Sequence, residues 1–484
     1  MKSHCLVILA DGARADVMED LALKGQLPAI GEYLIGQGGL RHGVSVFPST
    51  TGPAYLPYLT GCFPGTCNVP GIRWFDKKKY GANFFSYDRF RSYVGLESFL
   101  INQDLDPSRK TLFEIIPHSM NLFSAINRGV SFSGNRSKLS RIFHWYYAHL
   151  TDHWALVDES AEKKVLRALE SKPEFFFAVF PCIDEYSHLS SPFHPKTLEA
   201  YRKLDQSVGR IVQSLKQKGI WESTMLFIVS DHGLSETKTH LPLNQFLEDL
   251  GVPTFYYPKI VFKWGVQAAS MVSGNGMSNV YFRNADGWKE RTPWEDLMAR
   301  KDCVVERLLE RPEVDLMAAQ SQDGSVVVKS KRGEARISVG ARSPCPGGES
   351  HKGTASLTPP LHYRIIGSDP FGYPKLPEHM SSRESFIATA STDYPDAPMQ
   401  LLQIFRSQRA GDLILSAAKG CDLRQRHEIP EHKSSHGSLH WEHMNVPIVS
   451  NVSLPEGPMR SADVFPLILQ GLNRPIPEGI DGRL

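Results

Sequence analysis

Residues Met225–Gly233 read "MLFIVSDHG", an unbroken apolar run that ends in Ser230, Asp231, His232 and Gly233. A strand buried on one face alternates apolar and polar residues. A run without alternation predicts a strand covered on both faces. Two other stretches repeat the pattern: "CLVILADG" (Cys5–Gly12) runs into Asp11, and "FFFAVFPCID" (Phe175–Asp184) runs into Asp184. Helical patterns lie around and between them, in "RADVMEDLALKG" (Arg14–Gly25), "ESAEKKVLRALES" (Glu159–Ser171) and "TLEAYRKLDQSVGRIVQSLKQKG" (Thr197–Gly219). The alternation predicts an α/β fold with a mostly parallel central sheet flanked by helices. Sites in such sheets lie at the carboxyl ends of the strands, and all three runs end there in a carboxylate.

The 484 residues leave room for more than this sheet. Residues 1–250 and 412–484 read as the core. An aromatic- and basic-rich stretch, about 68–154, reads as a lid insertion, and 251–411, with short strand-like pieces among Gly/Pro loops, as an inserted smaller α+β subdomain. A composition of 41% hydrophobic and 22% charged residues is that of a globular protein, and a net charge of +2 offers no field for nucleic acid. No apolar run reaches the roughly 18–20 residues that span a bilayer. The amino-terminal run lacks a small-residue cleavage site and reads as a strand rather than a signal peptide. Seven scattered cysteines, with only Cys62 and Cys67 close, predict free thiols. Together these point to the cytoplasm, away from nucleic-acid and membrane partners.

Asp11, "DEYSH" (Asp184 and His188), "SDHG" (Asp231 and His232) and "SSHGSLHWEHM" (His436, His440, His443) form a chemically coherent set. Carboxylate oxygen and imidazole nitrogen are zinc donors where no thiolate is present. Three Asp and three His suffice for two neighbouring ions, which, roughly 3.5–4 Å apart, clamp the attacking and departing oxygens of an in-line displacement. That chemistry needs a nucleophile, and "FPSTTGP" (Phe47–Pro53) supplies hydroxyls. An isolated Ser/Thr before Gly-Pro is also an ordinary helix N-cap.

The set Asp11, "FPSTTGP", "DEYSH", "SDHG" and "SHG" resembles the alkaline phosphatase superfamily, and within it the type I phosphodiesterase/nucleotide pyrophosphatase branch. The resemblance implies a hydrolase of phosphodiester or pyrophosphate bonds that passes through a phosphothreonine intermediate. It aligns Thr51-Gly52-Pro53 with the family's Thr-x-Pro and makes Thr51 the nucleophile, in preference to Thr50. It implies that Asp11, Thr51, Asp231 and His232 hold one divalent ion, and Asp184, His188 and His436 the other. Zn²⁺ is the expected ion, with Mn²⁺ or Fe as alternatives. His440 and His443 then stand outside the ligand set.

The family's diesterases carry Asn after Thr-x-Pro, where this chain has Ala54, which implies a lost donor to the phosphate. Arg73, Trp74 and Lys77 in the insertion are candidate substitutes or substrate contacts. Trp74, Phe75, Tyr80, Phe84, Phe85 and Tyr87 could stack a base or form the insertion's own core. With no charge near Thr51 in sequence, diesters are expected to be favoured over monoesters. Alternatives are a phosphomonoesterase or phosphonate hydrolase on the same ions, or a metal-binding protein without turnover.

Overall fold

The computed structural model describes residues 2–83, 85–257, 265–340, 360–424 and 431–484. Within these, the three unbroken apolar runs form adjacent strands. His4–Ala10 lies between Phe175–Phe180 and Thr224–Val229, parallel to both, in register Ala10 with Phe180 and Leu9 with Val229. Cys5–Ala10 and every residue of the two neighbouring strands are buried, as two covered faces require. Ser119–Leu122 extends the sheet beyond Phe175–Phe180, again in parallel. On the opposite side Asn445–Ser450 pairs antiparallel with both Thr224–Val229 and Gly39–Val44, and Met459–Arg460 closes that edge. The sheet is therefore mixed, where the sequence predicts a mostly parallel one. The difference comes from Asn445–Ser450, whose approach from the distal part of the chain sets its direction.

Amphipathic helices cover the sheet. Pro195–Gln217 buries Ala200, Tyr201, Leu204, Val208, Ile211, Val212 and Leu215, a stripe at helical spacing. Its Tyr201 hydroxyl accepts from the Arg14 amide at 2.8 Å and fixes the turn that follows Asp11.

A second sheet runs Thr254–Tyr256, Ala268–Ser273, Met277–Phe282, Leu413–Ala417, Val314–Gln320, Val326–Ser330, Glu334–Val339, Leu361–Ile366 and His379–Met380. All its pairings are antiparallel except the first. Leu413–Ala417, which the sequence division assigns to the core, lies inside this sheet. Ser119–Leu122, from the stretch read as a lid, lies in the central one. The two parts interlock instead of meeting at simple boundaries. The hairpin between Ala268–Ser273 and Met277–Phe282 reaches the central sheet's edge, where His436 N donates to Gly274 O at 3.1 Å and Gly276 N to His436 O at 2.8 Å.

The six described cysteines are free thiols; Cys345 lies outside the described residues. Among the described residues no helix is long and apolar enough to cross a membrane.

Candidate active site

Asp11, Asp184 and Asp231 meet at the carboxyl edge of the central sheet, one, four and two residues beyond the ends of its three innermost parallel strands. Asp11 N donates to Phe180 O at 3.0 Å, which holds the first carboxylate beside the loop that leads to the second. Gly12, at φ +69, donates its amide to Asp231 Oδ1 at 3.3 Å. A Cβ at Gly12 would stand 2.7 Å from the Asp184 backbone, so only glycine lets these loops close. Asp184 and His188 sit four apart on the helix Cys182–Leu189 and share one face, with His188 Nε2 at 3.4 Å from Asp184 Oδ1.

The histidines are oriented alike. His188 Nδ1 donates to Ser434 O at 2.8 Å, His232 Nδ1 to Gly233 O at 3.2 Å, and His436 Nδ1 to Ser49 O at 3.0 Å. A carbonyl only accepts, so each ring carries its proton on Nδ1 and leaves the Nε2 lone pair available. Such a backbone anchor on the far nitrogen is what orients a metal-ligating imidazole. Burial pushes the His188 pKa down to about 4 and those of His232 and His436 well below the usual value, which keeps the rings neutral. The rings of His232 and His436 stack at 3.7 Å.

The carboxylates are under the opposite stress. Burial raises Asp11 to about 6, against the hydrogen bond from Tyr55 Oη to its Oδ2 at 2.6 Å. Burial and then the charge of Asp11 raise Asp184 and Asp231 well above the carboxylate range. Asp184 Oδ1 and Asp231 Oδ2 are buried without a hydrogen-bond partner among the described residues. Three buried carboxylates, two orphaned oxygens and neutral imidazoles make a donor set that fits divalent cations. Donor atoms of Asp11, Asp231 and His232 lie within 4.8 Å of one another, as do those of Asp184, His232 and His436. The second group includes His232 where the sequence-based set has His188, which instead flanks Asp184.

Thr51 stands over the first group, its Oγ1 3.1 Å from His232 Nε2 and 3.5 Å from Asp11 Oδ1. The N-cap reading fails here, because Gly52 occupies the cap of the short helix Pro53–Tyr55 and no side chain caps it. The loop is clamped from three sides. Gln400 Oε1 accepts from Phe47 N at 2.9 Å, Gln403 Nε2 donates to Phe47 O at 2.6 Å, and Ser49 Oγ donates to Ser438 O at 3.0 Å. Thr50 is fully buried, and its hydroxyl has no partner among the described residues.

Other sequence candidates fall elsewhere. Trp74 is wholly buried, donating to Tyr93 Oη at 2.8 Å, and presents no face to a substrate. Arg73 donates to Ser92 Oγ at 3.3 Å and Val272 O at 3.4 Å, between the insertion and the second sheet. Lys77 is buried against Asp412 at 2.9 Å, and Lys78 and Lys79 pair with Glu290 and Asp88. Phe75 packs with Tyr80 and with Phe255, Tyr281 and Trp288, a core shared between the insertion and the second sheet; Phe84 lies outside the described residues. Ala54 packs against Val46, Phe63, Met399 and Ala462, so a longer side chain at this position would enter a core cluster. His443 uses both nitrogens on Ser235 and Ser438 behind the His436 loop, and His440 caps the helix Trp441–Met444.

The structure adds residues that the sequence reading passes over. Tyr55, in the short helix after the nucleophile loop, holds Asp11. Glu185 adjoins Asp184, and burial and then Asp11 raise its pKa well above the usual value. The ring of His432 lies 4.2 Å from that of His188. The i, i+4 spacing of His432 and His436 in "HKSSH" was the available signal.

These features are those of the alkaline phosphatase superfamily, whose members share this scaffold. The chain belongs to the type I phosphodiesterase/nucleotide pyrophosphatase family, which it matches over residues 5–319. The family is metal-dependent. The chain is 22% identical over 265 residues to ectonucleotide pyrophosphatase/phosphodiesterase family member 1 of Mus musculus, a match covering 52% of this chain and 27% of that relative. Its fold resembles that of murine ectonucleotide pyrophosphatase/phosphodiesterase 5 at a TM-score of 0.56 and 13% identity, covering 99% of this chain and 98% of that one. It also resembles phosphonoacetate hydrolase from Sinorhizobium meliloti, solved with phosphonoformate, at 0.56 and 14%, covering 97% and 96%.

Proposed function

We propose that the chain is a two-metal hydrolase that cleaves a phosphodiester or pyrophosphate bond through a phosphothreonine at Thr51. The observation that carries this reading is the common orientation of His188, His232 and His436, Nδ1 on a main-chain carbonyl and Nε2 available beside orphaned carboxylate oxygens. Asp11, Thr51, Asp231 and His232 would hold one ion, and Asp184, His188 and His436 the other, with His232 close enough to serve either group. When bound, such ions supply Lewis-acid stabilisation of the phosphoryl oxygens and lower the pKa of a coordinated hydroxyl. N/O donors of this kind suit Zn²⁺ and accept Mn²⁺ or Fe.

The chain's own part is positioning. The clamped loop holds Thr51 Oγ1 against His232 and Asp11, which orient the hydroxyl for attack on phosphorus. The new bond is Oγ1–P, the bonds that break are Oγ1–H and P–O to the leaving group, and the hydroxyl proton ends on the departing oxygen. Water then hydrolyses the phosphothreonine and frees the hydroxyl. Tyr55 holds the remaining Asp11 oxygen and fixes which lone pairs of Asp11 face the site. Free thiols in the described cysteines support a reducing compartment such as the cytoplasm.

A phosphonate hydrolase is the second reading, favoured by the structural likeness to phosphonoacetate hydrolase. The test is a panel of bis-p-nitrophenyl phosphate, p-nitrophenyl phosphate, a nucleoside pyrophosphate and a phosphonate, with elemental analysis of the protein. Two equivalents of a divalent metal and chelator-sensitive turnover of a diester or pyrophosphate are expected. Metal-free protein, or turnover indifferent to prolonged chelation, overturns the reading.

A further inference from the structure

The helix Lys138–Thr151 in the aromatic insertion carries a cation whose situation differs from its neighbours'. Arg141 donates from Nε to Phe123 O at 2.9 Å and from Nη1 to Ser98 Oγ at 2.8 Å. Both anchors are nearly inaccessible, at 1% and 2% exposure. The guanidinium lies over the rings of Phe99 and Trp145, with centroids at 5.4 and 5.0 Å. It has no carboxylate within ion-pair distance among the described residues, and its Nη2 makes no hydrogen bond there. A guanidinium has five N–H donors, and only two of these are committed. By contrast, Arg91 of the same insertion is paired with Asp104 at 2.8 Å.

The anchors place this cation at the active site. Phe123 directly follows Ser119–Leu122, the strand beside Phe175–Phe180, so it stands at the same carboxyl edge as Asp11 and Asp184. Ser98 precedes Ile101, whose side chain comes within 4.0 Å of a Cβ built on Gly52, next to Thr51. Arg141 thus ties together two segments, one ending at the sheet edge and the other touching the nucleophile loop. Its charge acts on Asp11 and Tyr55 across the intervening space.

We propose that Arg141 binds a second anionic group of the substrate, adjacent to the scissile phosphorus, and so selects pyrophosphates or charged phosphonates over diesters with neutral substituents. The proposal rests on the hydrolase reading above and names its substrate class. Arginine suits the task because it stays protonated and its fork matches phosphate and carboxylate oxygens. Held by rings and two buried acceptors, it loses little side-chain freedom on binding.

The experiment compares kcat/KM for a nucleoside pyrophosphate and bis-p-nitrophenyl phosphate in wild type, Arg141→Met and Arg141→Lys. In Arg141→Met the loss is expected to be at least tenfold larger for the pyrophosphate, with Arg141→Lys recovering part of it. Equal losses on the two substrates, or an unchanged ratio, overturn the proposal. Metal-loaded wild type gives a measurement that needs no variant. Inorganic pyrophosphate is expected to protect Arg141 from phenylglyoxal, mapped by mass spectrometry, and unaltered modification overturns the proposal. Wild type that cleaves neither substrate overturns the hydrolase reading, while the protection measurement still decides whether Arg141 binds the anion.

Discussion

At the carboxyl edge of the central sheet, Asp184 Oδ1 and Asp231 Oδ2 are buried without a hydrogen-bond partner among the described residues, and three neutral imidazoles present Nε2 beside them. In the stretch 71–95, Lys77, Lys79 and Arg91 each face a carboxylate, and Phe75 and Tyr80 pack on each other. Both regions are dense in the residue types that build binding sites. One leaves its polar atoms uncompensated by the protein, whereas the other pairs them internally. Uncompensated burial costs several kcal/mol for a charge, so it persists where a ligand supplies the missing partner. Composition alone does not separate the two; satisfaction of the polar atoms does.

The comparison breaks most visibly at Thr51. Thr51→Ala is expected to lower kcat/KM by about 10⁴-fold, roughly 5.5 kcal/mol, while bound metal measured by elemental analysis stays close to wild type. In the insertion the corresponding change should affect stability. Lys77→Ala leaves the buried Asp412 without its cation, held only by the amides of Phe282 and Thr292 and the Thr292 hydroxyl, and should cost about 3 kcal/mol of unfolding free energy, with the specific activity of the folded fraction retained. A denaturant titration run beside an activity assay separates those outcomes, and lost activity without lost stability would place Lys77 in the site. Ala54→Asn pushes a polar group into the cluster of Val46, Phe63, Met399 and Ala462. It should destabilise by about 1–3 kcal/mol and bring no gain in kcat.

The pH dependence sharpens the electrostatic half. Asp11 is raised to about 6, so in the metal-free protein the stability it lends is fully present below its unfolded value and is lost as pH rises through 6. A bound ion has the opposite slope, because it displaces that proton. Zn²⁺ affinity is therefore expected to fall by at least about tenfold per pH unit below 6, since burial also holds protons on Asp184 and Asp231, and the Zn²⁺-induced rise in Tm to be smaller at pH 5.5 than at pH 8. His188, near 4, remains neutral through this window and should not limit binding. A Tm gain that does not change between those pH values would contradict the assignment of Asp11 as a ligand. The smallest effect is expected at Thr50, whose hydroxyl has no partner among the described residues. Thr50→Ala should leave kcat/KM within about threefold, roughly 0.6 kcal/mol. If Thr50→Ala is the inactive variant instead, the nucleophile is one residue earlier.

Much of the site was legible because strand and ligand adjoin in sequence. Asp11, Asp184 and Asp231 each follow an apolar run, and a strand's end fixes where the next few residues go. His188 and His232 came with them by local spacing. The direction of Asn445–Ser450 was not legible, since pairing partners some two hundred residues or more away decide it. Nor was the burial of Trp74 or the position of Ala54, because an aromatic or a methyl group reads alike on a lid and in a core. Arg141 was invisible for a related reason. Its anchors are a main-chain carbonyl at Phe123 and a serine at Ser98, neither of which carries a sequence signature.

The interlocking of the two sheets also bears on how the chain is made. Gly39–Val44 pairs with Asn445–Ser450, and Met277–Phe282 with Leu413–Ala417. During synthesis at 5–20 residues per second the first of these strands waits on the order of a minute for its neighbour. Until then both sheets expose open hydrogen-bonding edges, the template on which nascent chains associate wrongly. The His436 loop emerges in the same late interval. A ribosome-bound chain is thus an inert and adhesive body until the distal strands arrive.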